Sequence, residues 1–325
     1  MKIPNKKKLI PSIISVIIQT IKIYPVTLFL FALVVLFASL YPGKFLTPLN
    51  LSTILRQFVS LMLFALGPSI VVVTGSLDLS YVGIWMLGGI LVWVLMPTLG
   101  MVSILVIPLL GLATGFIVGV IQAKAKIPSF ILTLSVLVIY CGLTGIISGG
   151  ISRSVRGYEF ITRRWIPYIP TAFLWTIPII IAAVFIMKYT KIGIYLYAIG
   201  SNEEGARLAG INVDNYKILA FTISGLFTGI GSVIYFQNQG GSVPVVLNLN
   251  TMVWPLVAIV LGGTPLTGGS GGPQKTILGA LTFTVLFRGL TLSFIDPTMI
   301  QLITGLLLIA SIVASSRGSK GVMIT

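Results

Sequence analysis

Ser201-Asn202-Glu203-Glu204-Gly205-Ala206-Arg207-Leu208-Ala209-Gly210 is a short polar run set between two long apolar segments. It holds two of the six acidic residues in a chain of 325. The spacing predicts a helix with both ends specified. Ser201 with Glu204 three residues on forms a capping box: the hydroxyl takes a backbone N–H of the first turn and the carboxylate reaches back. Gly210 suits the left-handed position that stops a helix. A polar helix of about two turns cannot cross a bilayer. It is expected on a membrane surface, available to a partner.

Around this run the chain is apolar. Hydrophobic residues make up 56% and charged residues 8%, with a mean hydropathy of +1.07; a soluble domain carries about 25% charged residues. The fold class expected is therefore an all-α integral membrane protein embedded in the lipid bilayer. Every gap between apolar segments is under about 30 residues, too short for a separate soluble core. The net charge of +15 does not point to nucleic acid, because Lys and Arg are spread over loops and termini rather than interleaved with aromatics on one face. Positive loops are what membrane insertion selects on the cytoplasmic side.

The sequence has no histidine, and its one cysteine, Cys141, lies in an apolar segment and can form no internal disulfide. An intramembrane enzyme needs a nucleophile and a base within reach, and Cys141 and Asp78 have no imidazole partner. An ion-coupled secondary transporter normally places carboxylates or histidines in the membrane; Asp78 is the one carboxylate near the embedded core. No catalytic, cofactor or metal site is expected in this chain.

The apolar pattern predicts about ten spans, at 24–41, 54–74, 82–98, 103–122, 129–149, 172–188, 216–236, 252–264, 275–294 and 299–314. The eighth is too short to cross about 30 Å upright, so it is either differently bounded or partly re-entrant. Lys6-Lys7-Lys8 and the apolar run Leu9 to Ile21 resemble a signal peptide, yet no small-x-small cleavage site follows and Lys22 comes next. Residues 1–23 are read as an uncleaved cytoplasmic segment, 24–314 as the transmembrane domain with a cytoplasmic loop at 189–215, and 315–325 as a cytoplasmic tail. With the N-terminus inside, Lys124, Lys126, Lys188, Lys191, Arg207, Lys217, Arg317 and Lys320 all fall inside. Arg153, Arg156, Arg163 and Arg164 fall outside, against the rule. Either the topology slips there or these arginines serve an external partner.

Small residues recur four apart at Gly111, Gly115 and Gly119, at Gly145 and Gly149, and at Gly225 and Gly229, a spacing that lets helices approach closely in lipid. Two polar stretches break the apolar pattern: Thr74-Gly75-Ser76-Leu77-Asp78-Leu79-Ser80 after the second span and Gln237-Asn238-Gln239-Gly240-Gly241-Ser242-Val243-Pro244 after the seventh. The topology puts them on opposite sides, as inverted repeats of spans 2–5 and 7–10 would. A third, Gly-rich break at 262–273 lacks the lysine and hydroxyl of a phosphate loop and reads as a tight turn between short helices.

Four blocks carry a resemblance. They are Thr74 to Gly83, Ile127-Pro128-Ser129-Phe130-Ile131-Leu132-Thr133-Leu134, Tyr197 to Ile211, and Val260-Leu261-Gly262-Gly263-Thr264-Pro265-Leu266-Thr267-Gly268-Gly269. In this order they resemble the permease subunits of the ribose-type family of ATP-binding-cassette importers, which includes the autoinducer-2 importer permeases. The resemblance implies a bacterial or archaeal cytoplasmic (inner) membrane and a second permease subunit, identical or a sister. It implies two cytoplasmic ATPase subunits, which would bind the ATP, and an external substrate-binding protein. The solute expected is a monosaccharide or an autoinducer-2-like sugar derivative; a nucleoside, inositol or a branched-chain amino acid is the alternative. The third block matches the family's ATPase-docking loop, which assigns Ser201, Asn202, Glu203, Glu204, Ala206, Arg207, Leu208 and Gly210 to coupling. The chain departs from the family at Gly205, where Ala is usual, and at Tyr81, which stands between Ser80 and Val82-Gly83 and either narrows the pathway or marks the interface.

The residues expected on the pathway or at its gate are Thr74, Asp78, Ser80, Gln237 and Asn238. Asp78 has a second reading, as a cap of the helix that follows, with Ser80 as the rival cap. Gln237, Asn238 and Gln239 offer uncharged donors and acceptors suited to a hydroxyl-rich solute, or simply begin an external loop.

Overall fold

A computed structural model describes residues 25–163 and 165–319, with side chains from 26 to 313. The segment 1–23, including Lys6 to Lys8 and Lys22, together with Arg164, Lys320 and the side chain of Arg317, lies outside the described residues. In chain order the helices are α1 (Pro25–Leu40), α2 (Pro48–Val73), α3 (Tyr81–Leu99), α4 (Val106–Ala125), α5 (Ser129–Ser148), α6 (Thr171–Tyr189), α7 (Lys191–Ser201), α8 (Glu203–Leu208), α9 (Val213–Asn238), α10 (Leu249–Leu261), α11 (Pro273–Leu292) and α12 (Pro297–Ser319). All but α7 and α8 fall on the apolar segments read from the sequence, and α12 runs past the expected boundary at 314.

Among the described residues, six continuous helical stretches are long and apolar enough to cross a membrane; one of them, Tyr81–Ala125, contains α3 and α4 joined by a 3-10 turn. With 13 residues, α10 rises about 20 Å, short of the hydrocarbon core. The chain is thus an all-α, multi-pass membrane protein.

The centre of the bundle is α2 against α9, and both are largely buried. The outer helices keep apolar side chains on their outward faces, such as Leu109, Ile146 and Ile181, as segments surrounded by hydrocarbon do. The main packing partners repeat, though not the extent of each contact, when α2, α3, α4 and α5 are exchanged with α9, α10, α11 and α12. α4 packs on α9 as α11 packs on α2; α3 meets α4, α5 and α9 as α10 meets α11, α12 and α2.

The α4–α9 contact is where the small residues act. A Cβ at Gly111 would lie 2.2 Å from Gly225 O, and one at Gly115 2.2 Å from Phe221 O. The backbones touch because no side chain intervenes. Gly145 and Gly149 do something else: a Cβ at Gly145 would meet nothing within 4 Å, and Gly149 (φ +70°) closes α5 in the left-handed conformation. That pair is not a packing stripe within the chain.

The basic loop after α5 is folded back by β1 (Arg153–Ser154), which pairs antiparallel with β2 (Ser242–Val243), Arg153 opposite Val243. Arg153 donates to Ser148 O at 2.8 and 3.1 Å, and its guanidinium lies 4.5 Å from the centre of the Trp93 ring. At least this arginine is used inside the chain.

Candidate functional site

The polar run is a helix, and its start differs from the expected one. Ser201 is the last residue of α7, a helix the sequence reading missed. Its Oγ donates back to Tyr197 O (2.8 Å) and towards Gly269 O (3.4 Å). The cap of α8 is Asn202, whose Oδ1 accepts from Gly205 N at 2.9 Å. The Ser201–Glu204 capping box is therefore not formed: Asn202 is extended (φ −160°, ψ 104°), as a cap must be, whereas Ser201 is helical. The same bond accounts for Gly205, since a Cβ there would crowd the Asn202 amide at 3.1–3.2 Å. The far end is as expected. Gly210 has φ +81°, Ile211 N donates to Ala206 O and Gly210 N to Arg207 O, a Schellman stop.

The charges on α8 are turned inwards. Glu203 accepts from Lys217 Nζ at 2.6 Å and Arg207 Nη2 at 3.2 Å, and Arg207 also donates to Asp214 at 2.6 Å. The clasp ties α8 to the first turns of α9. The hydrogen bond from Lys217 holds the Glu203 carboxyl below the usual range, with the Arg207 guanidinium adding to the effect. Beneath it Ala206 packs with Ile199 and Val213. Glu204 and Leu208 face outward without a part in the clasp, the latter 90% exposed, while Arg207 in the clasp is itself about half exposed.

Asp78 sits in the break after α2, buried. Oδ1 accepts from Ser80 N (3.0 Å) and Ser80 Oγ (2.6 Å), and Oδ2 accepts from Ser224 Oγ on α9 (2.7 Å). Ser80 holds the cap position of α3, but its hydroxyl is given to Asp78 rather than to the helix. Thr74 Oγ1 donates to Val71 O. Tyr81 is fully buried, stacks near Phe64 and donates its hydroxyl to Met252 O, which fastens α10 to α3.

The open volume lies elsewhere. A cavity of about 260 Å3 is enclosed by α2, α9, α10 and α11 towards the end opposite α8. Its walls are aromatic: Phe64 is 4.3 Å from Tyr235 and Trp254 4.7 Å from Phe287, centre to centre. Its polar residues besides the aromatic ones are Arg56, Gln57, Ser60, Asn238, Gln239, Thr251 and Thr284. Asn238 Nδ2 donates to Ser60 Oγ at 2.9 Å. A neighbouring recess of about 880 Å3 shares Tyr235, Gln239 and Thr251 and adds Trp85, Asn248, Asn250 and Gln301. Gln57 Oε1, Trp254 Nε1 and Trp85 Nε1 are buried without a hydrogen-bond partner among the described residues.

Of the five expected pathway residues, Asn238 lines the cavity, and Gln237 is buried beside it in sequence with Nε2 unpartnered. Thr74, Asp78 and Ser80 do not line it; they stand at the other end of α2. Arg56, Gln57 and Ser60 were missed, although an arginine and two neutral polar residues inside an apolar span were visible as a signal.

The family described as branched-chain amino acid transport system, permease component, matches residues 50–312. The chain belongs to this family of transport permeases. The ribose import permease protein of Haemophilus influenzae is 31% identical over 88% of this chain and 91% of its own length. The autoinducer 2 import system permease protein LsrC of Photorhabdus laumondii is 30% identical over 82% of each. The xylose/arabinose import permease protein of Sulfolobus acidocaldarius is 27% identical over 89% of this chain and 84% of its own. No solved structure matches the chain significantly.

Proposed function

We propose that this chain is the permease subunit of an ATP-driven importer for a monosaccharide of the pentose class, or a sugar derivative of similar size. The cavity between α2, α9, α10 and α11 carries the reading. Aromatic faces suit the C–H faces of a sugar, and neutral amides and hydroxyls suit its hydroxyl groups. Arg56 pairs with no carboxylate among the described residues and can donate to neighbouring hydroxyls. An arginine facing hydrocarbon would be costly, which favours a wet pathway at this face. A branched-chain amino acid, named in the family description, would need an anionic partner for its ammonium group, and no Asp or Glu lines the cavity.

The ten apolar helices are read as ten crossings or partial crossings, with both chain termini and α8 on the cytoplasmic side. The exchangeable packing of α2–α5 and α9–α12 supports inverted repeats related across the α2–α9 contact. A second permease subunit, two ATPase subunits and an external binding protein complete the importer. The ATPase meets α8 through Leu208 and Glu204, because Glu203 and Arg207 are occupied by the clasp. ATP is bound by that partner and not by this chain.

The test is uptake into liposomes by the complex purified through the tagged full chain from its native membranes. ATP-dependent uptake of ribose, xylose or arabinose, with leucine excluded, is the expected result. Leucine uptake would reassign the solute. Uptake by the chain alone under an ion gradient would replace the importer reading with a secondary transporter.

A further inference from the structure

We infer that α7 is the joint that carries movement of the docking helix to the cavity, with the glycine segment 262–272 as the hinge and Tyr197 as its clamp; this rests on the importer reading above. The four cavity helices meet the α7–α8 unit either directly, as α2 and α9 do, or through the glycine segment, as α10 and α11 do. α9 begins in the clasp, where Asp214 and Lys217 meet Arg207 and Glu203. α2 ends at Val73, whose carbonyl accepts from Gly269 N at 2.8 Å. α10 ends at Leu261 and α11 begins at Pro273, so both run directly out of the glycine segment.

That segment lies against α7. Tyr197 Oη donates to Gly271 O at 2.7 Å and accepts from Gln274 Nε2 at 2.7 Å, so one hydroxyl spans the hinge and the first turn of α11. A Cβ on Gly200 would stand 1.8 Å from Val73 O and 2.6 Å from Gly269 N. α7 therefore touches the end of α2 and the hinge at the same point, backbone to backbone. Displacement there cannot be absorbed by a side chain changing rotamer. The hinge depends on glycine, because Gly263, Gly268, Gly269, Gly271 and Gly272 all have positive φ, a region that glycine adopts without strain. From Val73, α2 runs about 20 Å to Ser60 at the cavity, with its hydrogen-bond ladder interrupted at Pro68. Tyr197 is a positioning residue in this scheme. It contacts neither solute nor nucleotide.

The experiment uses the complex purified through the tagged full chain, with Cys141→Ala and Ser60→Cys introduced. A membrane-impermeant maleimide then reports access to the cavity, with and without ATP plus orthovanadate. In this parent the labelling rate should change about tenfold with nucleotide, the scale of an ordinary coupling free energy. Tyr197→Phe keeps the ring and loses both hydroxyl bonds, and Gly200→Ala drives a wedge into the joint. Both should still co-purify with the ATPase, but the nucleotide response should fall below about twofold. A Tyr197→Phe response equal to the parent's overturns the joint, and this variant decides the matter if Gly200→Ala does not assemble. A parent that carries the ATPase yet ignores nucleotide also overturns it. A parent that purifies without any ATPase overturns the importer reading instead.

Discussion

The two polar breaks after α2 and α9 occupy equivalent places in the packing pattern, yet their chemistry is opposite. In the first, both oxygens of Asp78 are occupied, Leu77 N donates to Ser129 Oγ, and Val73 O is held by Gly269 N. In the second, Gln237 Nε2 has no partner among the described residues, and Asn238 and Gln239 line a cavity. A buried polar group without a partner is destabilising by about 1–3 kcal/mol, so it persists where a solute or water completes it. The first break is built as a bearing and the second as a mouth. In the joint inferred above, movement made at the first break would be expressed at the second.

The comparison can be broken most severely at the contact that holds both halves together. Gly115→Val should abolish monodisperse protein in detergent, because the new side chain would start 2.2 Å from Phe221 O; a well-behaved size-exclusion peak would mean that α4 and α9 can separate. Next comes Asp78→Ala, which removes three hydrogen bonds and strands Ser224. A loss of about 3 kcal/mol is expected, read as a fall in the melting midpoint. Asp78→Asn can still accept from Ser80 and donate to Ser224 Oγ, and should lose about 1 kcal/mol. Equal falls for the two would argue that charge, not bonding, matters at the bearing.

Leu208→Asp should leave the melting midpoint unchanged, since the side chain is 90% exposed, and should remove the co-purifying ATPase; retention of the ATPase would move the docking face elsewhere. The clasp has a defined pH response. Glu203 titrates below its ordinary value of 4.5, so the stabilisation it gives is present above that value and is lost as pH falls through the lowered one. Hydrogen exchange of α8 amides should be flat from pH 7 to about 5, after correction for intrinsic rates, and should rise only below about pH 4. Glu203→Gln should raise exchange at pH 7 modestly, as exposed pairs contribute about 0.2–1 kcal/mol each. The smallest structural effect is expected at the mouth: Gln237→Leu should be neutral or slightly stabilising to heat while sugar uptake falls. A strongly destabilised protein would show that Gln237 is a bearing residue after all.

Much of this was legible in the residues. Ten apolar segments gave ten helices because an all-round hydrophobic run has few folded alternatives in lipid. Gly210 read as a helix stop because its reason is local. Ser201 was misread for an equally physical reason: Ser201 and Asn202 are both good caps, and the choice fell to Asn202 because α7, held by Tyr197 and Gly200 against distant glycines, continues through Ser201. The role of Asp78 was left open between cap and pathway. Its bond to Ser224, 146 positions away, is a long-range contact that no local pattern encodes.

Composition, hydropathy and the order of four motif blocks determined by themselves that this is a multi-pass permease whose polar run folds as a short helix stopped at Gly210, since each depends on short-range chemistry or on the choice between water and lipid. Tertiary structure alone decided which polar residues are satisfied and which stay open. It turned Glu203 and Arg207 into a clasp, left Leu208 exposed, and brought Arg56, Ser60, Asn238 and Trp254 around one cavity. These outcomes depend on how helices far apart in sequence meet, and the hydrogen-bond count of a buried group is fixed only when its neighbours are.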